Sequence, residues 1–304
     1  MKKIIKNIQA SVRTRLQNIA QKTGRPFSEV LQYYGMERFL YRFSQSIYAD
    51  QFVLKGALMF AVWDVPERRT TLDIDFTARF SNKVKAIEGV IREVCLVSVP
   101  PDGVIFDSVK VKGVKIKENA DYEGVRVKFA GYLGKARIAM QIDVAFGDVI
   151  YPNPQRIDYP VILDMPKPKL KGYPIEGVAS EKLEAIIKLG ALNSRMKDFY
   201  DLWLMSRQFN FDGNRLSKAL TRTFRHRQTA LPKGRPFFAE EIYDEKSDRQ
   251  ILWRAFLRKG SVQQVPEKLN IVAREIERFF ADPLAAVAKR EKFNKKWDAA
   301  GKWK

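Results

Sequence analysis

Histidine and cysteine are nearly absent from this chain: His226 and Cys95 stand alone in 304 residues. One cysteine excludes an intramolecular disulfide and a cysteine-rich zinc site. One histidine excludes a histidine metal cluster, so any catalysis must run on carboxylates and lysines. No apolar run is long enough for a membrane span. The start, Met1-Lys2-Lys3-Ile4-Ile5-Lys6, is basic, but no apolar stretch with a small-residue cleavage site follows it, so no signal peptide is expected. Internal repeats and low-complexity blocks are lacking as well. A protein of a reducing cytoplasm fits these absences.

Acidic residues are in short supply. There are 35 against 55 lysines and arginines, which leaves a net charge of +20 and a pI near 9.9. A folded domain so charged repels itself unless a polyanion is near, and nucleic acid is the usual partner. A membrane surface is the weaker alternative. With 45% apolar residues the chain can bury a core, in one large domain or two packed ones.

Periodicity outlines the elements. Ile8, Val12, Leu16 and Ile19 recur at helical spacing until Gly24-Arg25-Pro26. Ser28 reads as the cap of a second helix that runs toward Phe43. The apolar stretch Phe52–Val62 reads as helical after Gly56 and stops at Pro66. From Arg69 to Phe76 the period becomes two, with Leu72, Ile74 and Phe76 on one face and Arg69, Thr71, Asp73 and Asp75 on the other. A helix over Val84–Cys95 follows. Strands are expected at Phe106–Val111, Val125–Tyr132 and Arg137–Phe146, the last with Ile138, Met140, Ile142 and Val144 on one face. The Pro- and Lys-rich segment Tyr151–Pro174 reads as a linker or lid strand. Helices are expected from Ser180 to Gly190 and from Met196. The helical pattern then continues to Phe280, with a break at Thr229–Pro236. The tail, Lys289–Lys304, mixes cations with Phe293, Trp297 and Trp303. That suits either base stacking with phosphate contact or a docked amphipathic helix.

The chemistry-bearing feature is Asp73-x-Asp75. Two residues apart on a strand, these side chains emerge on one face a few ångströms apart. Adjacent carboxylates repel, and a divalent cation resolves the conflict. Magnesium suits hard oxygen ligands and also binds nucleotide phosphates. Asp143, on another strand with an apolar opposite face, is the third carboxylate of a two-metal site. Asp-x-Asp alone is common on solvated strand faces. A glycine before a helix, Gly56, adds weight, since backbone N–H groups there can approach a phosphate. Arg69 could hold a phosphate or neutralise Asp73. His226 lies in a basic cluster with Arg222, Arg225 and Arg227, and reads as an RNA-contacting or surface residue. Cys95 reads as a buried helix residue.

Lys55-Gly56-Ala57 followed by Arg69-x-Thr71-x-Asp73-x-Asp75 resembles the first motif of the DNA polymerase β-like nucleotidyltransferases. The longer set resembles the AbiEii/AbiGii toxin branch. It comprises Leu40–Ser44, Phe52–Ala57, Arg69–Phe76, Ile142–Val144, Ser180–Ala185 and Arg195–Leu202, in the family's order. The resemblance implies an α+β fold with a polymerase β-like mixed sheet. N-terminal helices at 1–50 would pack on a nucleotidyltransferase core at 51–165, and a mainly helical domain would occupy 166–304. It implies Asp73, Asp75 and Asp143 as magnesium ligands and Lys182 and Asp198 as further catalytic residues. It implies that Lys55, Gly56, Ala57, Arg69, Thr71 and Lys182 contact the NTP. One departure is Ala57, where related enzymes carry serine or glycine, so no hydroxyl reaches a phosphate there. Members are typically toxins of toxin–antitoxin or abortive-infection pairs. Some are similar to enzymes that add nucleotides to the 3′ end of tRNA. A monomeric toxin with an RNA acceptor and a winged-helix antitoxin is the resulting expectation. The alternatives are a nucleic-acid-binding protein whose acids are structural, and a metal-dependent nuclease.

Overall fold

In the computed structural model, which describes residues 7–65, 69–118, 122–260, 265–299 and 301–304, the first helix, α1, spans Ile8–Thr23. Asn7 caps it by accepting from the Ala10 N–H, and Gly24 ends it in the left-handed conformation. Helix α2, Phe27–Ser44, starts at Pro26, so Ser28 is its second residue and not its cap. Proline suits that end because its missing N–H costs nothing there. Strand β1, Phe52–Lys55, leads into a single 3₁₀ turn, Gly56–Leu58, and the four-residue helix α3, Met59–Val62. Pro66, the expected stop, lies outside the described residues.

Strand β2 covers Ile74–Ala78, later than expected, and Leu72 is exposed, not packed on the core. Then come α4 at Val84–Leu96, β3 at Val104–Phe106, β4 at Lys112–Glu118, β5 at Tyr122–Leu133 and β6 at Ala136–Phe146. The segment read as a linker or lid strand supplies two strands of the main sheet, β7 at Gln155–Asp158 and β8 at Lys169–Gly172. The sheet order is β3-β5-β6-β2-β1-β8-β7, with β4 also paired to β5. β2 is parallel to β6 and β1 to β8, and the remaining pairs are antiparallel.

The described parts of Met1–Asp64, Thr70–Asp148 and Gln155–Gly172 form one compact unit around this sheet. Its core is rich in phenylalanine. Phe39 and Phe43 of α2 meet Phe52, Phe76, Phe106 and Phe129, and the Phe43 and Phe76 rings stack at 4.8 Å. The alternation read in β6 holds, with Ile138, Met140, Ile142 and Val144 all buried.

The second unit comprises Val65–Arg69, Val149–Pro154 and Tyr173–Lys304. Helix α5 spans Ile175–Leu189, with Pro174 at its N-cap and Ser180 in its buried middle. It is followed by α6 at Met196–Gln208, β9 at Phe211–Asp212, α7 at Gly213–His226, α8 at Glu240–Tyr243, α9 at Asp248–Gly260 and α10 at Leu269–Lys289. The tail is neither a helix nor an extended arm. It forms β10, Lys296–Asp298, and β11, Lys302–Trp303, in a small sheet with β9. Its tryptophans face inward: Trp297 Nε1 donates to the Ser206 carbonyl at 2.6 Å, and Trp303 Nε1 to that of Phe279 at 2.9 Å. Burying an indole requires such a partner, and rings held this way are anchors for the fold.

Candidate active site

The sheet register brings the three predicted carboxylates together. β2 and β6 run parallel with Asp75 opposite Asp143, so both side chains leave the same face. Asp73 stands just before β2. One oxygen from each of the three lies within 4.8 Å of the others. Asp143 is buried and the other two are half-buried. This is a hard-oxygen donor set of the kind a divalent cation such as magnesium takes, and these residues fit that ion.

Two neighbours shape the cluster. On the antiparallel strand β5, Arg126 sits opposite Asp143 and grips it with both arms, Nε to Oδ1 at 2.8 Å and a terminal nitrogen to Oδ2 at 2.6 Å. That hydrogen bond, and then the charges of Asp143, Asp73 and Asp75, hold the guanidinium more firmly protonated than usual. Thr71 donates its hydroxyl to Asp73 Oδ1, and its own backbone N–H donates to the Tyr33 hydroxyl at 3.1 Å. Thr71 therefore orients an acid from a buried position.

Gly56 is tied to Asp75. Its φ is +71°, and a Cβ built on it would stand 1.9 Å from Asp75 Oδ2. The glycine makes room for the carboxylate. The helix expected after it is only the 3₁₀ turn and α3, and Ala57 is buried within that turn. Lys55, at the end of β1, pairs with Asp148 at 2.9 Å, and the Asp148 carboxylate is itself buried.

In the second unit a separate set of charges is packed. Lys182 on α5 holds Asp198 at 2.6 Å and Asp201 at 2.8 Å, both from α6. Arg69, which precedes β2, forms a bidentate pair with Asp201 at 2.9 and 3.0 Å. Arg195 meets Asp198 at 2.7 Å. Burial opposes the charge of Lys182, Asp198 and Asp201. The opposite charges outweigh it: Lys182 is held above its ordinary pKa and Asp201 below its own, and Asp198 is lowered to about 2. An ammonium has three N–H donors, and the two carboxylates take two of them.

Two partners were missed in the sequence, Arg126 and Asp148, as was the pairing of Arg69 with Asp201; the helix face shared by Asp198 and Asp201 had already offered either acid to Lys182. Arg126 was within reach. The two-residue loop Gly134-Lys135 joins β5 to β6, with Gly134 at φ +60° and Leu133 opposite Ala136. Counting back along the two strands from that loop puts Arg126 opposite Asp143. His226 ends α7 as an exposed residue, whereas Arg227 beside it pairs with Glu181 and Glu184 and belongs to the packing. Cys95 is buried on α4, and burial pushes its thiol up to about 12, which removes it as a nucleophile.

The model of a family described as "Nucleotidyl transferase AbiEii toxin, Type IV TA system" matches residues 38–287. Two crystal structures from Helicobacter pylori are similar in fold. One, a candidate nucleotidyltransferase, shares 14% identity over 84% of this chain and 96% of its own, with a TM-score of 0.42. The other, JHP933, shares 14% identity over 83% and 94%, with a TM-score of 0.40. No curated protein matches the chain.

Proposed function

The chain belongs to the AbiEii nucleotidyltransferase toxin family of type IV toxin–antitoxin systems, and from that premise we propose that it transfers a nucleoside monophosphate from an NTP to RNA, at the 3′ end of a tRNA. The observation that carries this reading is the convergence of Asp73, Asp75 and Asp143 across the β2–β6 register. When bound there, magnesium supplies Lewis-acid stabilisation of the charge that develops on the phosphates. The acceptor hydroxyl oxygen attacks the α-phosphorus in line. The bond from that phosphorus to the bridging oxygen breaks, pyrophosphate leaves, and the hydroxyl proton passes to a carboxylate of the triad. Thr71 fixes Asp73, Arg126 fixes Asp143, and Gly56 leaves space for Asp75.

Lys55, Gly56, Ala57, Arg69, Thr71 and Lys182 are the residues we assign to the nucleotide, and Asp198 is the acid that holds Lys182 in place. The family also implies a cognate antitoxin, in this reading a winged-helix protein that neutralises a monomeric, cytoplasmic toxin. No helix among the described residues is long and apolar enough to cross a membrane. The +20 charge supports an RNA acceptor over a protein or a small molecule.

The test is a gel. Purified protein, total tRNA, magnesium and each labelled NTP in turn should give a lengthened, labelled RNA with at least one nucleotide. Asp75→Ala should reduce the transfer at least a thousandfold and leave RNA affinity within about twofold. Shortened RNA that needs no NTP would assign the triad to hydrolysis. An Asp75→Ala protein as active and as toxic as the natural one would remove the enzyme reading.

A further inference from the structure

The face of the first unit's sheet that carries the triad also carries a basic groove of about 550 Å³. Alternation creates it. Val125, Val127 and Phe129 of β5 turn into the core, so Arg126, Lys128 and Tyr132 turn outward. Lys112 and Val114 of β4 and Arg137 of β6 share that outer side. The register sets Lys112 opposite Lys128, Val114 opposite Arg126, and Tyr132 opposite Arg137. Among the described residues, five cations line the groove, the fifth being Lys110, and no acid does. At one end Arg126 reaches Asp143.

This arrangement runs against stability. Like charges directly opposite on paired strands repel. Lys112, Lys128 and Arg137 are nonetheless all exposed on this face, and the Val114 side chain stands 56% exposed among them. A polyanion with flat apolar groups relieves both costs. We propose that this face is the track for the acceptor strand: single-stranded RNA runs along β5, flanked by β4 and β6, with its 3′ terminus at the Arg126–Asp143 end. Outward side chains on one strand recur about every 6.8 Å, close to the separation of neighbouring phosphates in an extended strand. Lys112, Lys128 and Arg137 take phosphates, and Tyr132 offers a ring for a base to stack on. Stacking needs unpaired bases, which a duplex hides and a single-stranded 3′ end displays. The placement of the reacting end rests on the proposed transferase reading; the binding of the strand does not.

Full-length protein and a labelled single-stranded RNA oligonucleotide with a free 3′ hydroxyl suffice to test this. The triple variant Lys112→Ser, Lys128→Ser, Arg137→Ser should raise Kd at least tenfold. It should also flatten the slope of log K against log salt by about 2, at roughly 0.7 for each phosphate no longer neutralised. A charge-matched control, Lys22→Ser, Lys83→Ser, Lys289→Ser, should change Kd by less than threefold. Tyr132→Leu should weaken binding several-fold without altering the salt slope. Circular dichroism melts establish that each variant is folded. Equal Kd values for the triple variant and the control overturn the proposal, as does a natural protein that binds no single-stranded RNA or prefers duplex RNA. Two outcomes separate this idea from the transferase reading. Strand binding through this face without any nucleotide transfer would sink the catalysis and leave the track. Transfer whose acceptor KM is unchanged in the triple variant would do the reverse.

Discussion

A methyl group at position 56 would collide with Asp75 Oδ2 at 1.9 Å, on a backbone whose φ of +71° already disfavours any side chain. The conformational part costs about 1–2 kcal/mol. The collision is relieved only if the Asp75 carboxylate moves. Gly56→Ala should therefore reduce nucleotide transfer at least a hundredfold while the protein still unfolds cooperatively; rate assays and a thermal melt check this together. Lys182 makes a different demand. Removing it leaves Asp198 and Asp201 buried with one cation fewer. Lys182→Met should cost about 3–5 kcal/mol, read as a lower urea midpoint, and adding Asp198→Asn should return part of the loss. A Lys182→Met protein as stable as the natural one would show that the network contributes nothing to the fold. At this scale the sequence was legible where chemistry sits on one strand, as with Asp73 and Asp75. It was silent on partners that lie outside any motif, such as Arg126 and Asp148. Arg69 shares the alternation of the acids, yet it precedes β2 and pairs with Asp201, 132 residues away.

Helix α2 is almost wholly buried, and it carries charge into the core. Arg42 grips Asp102 at 2.6 and 3.1 Å, so the Arg42 of the family-like Leu40–Ser44 stretch is a packing element. Glu37 meets Arg38 at 2.7 Å and accepts from the Ile162 N–H at 2.6 Å, with about 1% of each side chain exposed. Burial pushes the Glu37 carboxyl up to about 7. Its folded pKa thus lies above its unfolded one, and the native state holds the proton more tightly between about pH 4.5 and 7. The stability contribution is then full below that window and is lost as pH rises through it, by roughly 3 kcal/mol. Urea unfolding at pH 5 and pH 8 should show this fall in the natural protein and a smaller one in Glu37→Gln. An unchanged pH slope in Glu37→Gln would refute it. Elements were legible in proportion to their periodicity. β6 alternates over eleven residues, and the face assigned to it holds. β7 and β8 have four residues each within a proline-rich segment, too short for a period to emerge, and their strand character comes from pairing with β1 and with each other. The tail's aromatic–basic mixture fits a nucleic-acid arm or a helix equally. Its real role comes from the remote carbonyls of Ser206 and Phe279, which composition does not encode.

At the scale of the whole molecule, the family match over residues 38–287 contains every residue assigned to the proposed chemistry. A family fixes a type of reaction, whereas the acceptor must be argued from charge and surface. The excess of 20 positive charges should make RNA binding steeply salt-dependent, since each neutralised phosphate releases counterions. The claim on which the chemistry depends is narrower: three carboxylates from two neighbouring strands share a divalent ion. Anomalous diffraction from crystals grown with manganese and a non-hydrolysable NTP tests it most directly. The account predicts a peak bonded to an oxygen from each of Asp73, Asp75 and Asp143, with at least one arm of Arg126 released from Asp143. No peak there, with the NTP bound and Arg126 still closed on both Asp143 oxygens, would contradict it.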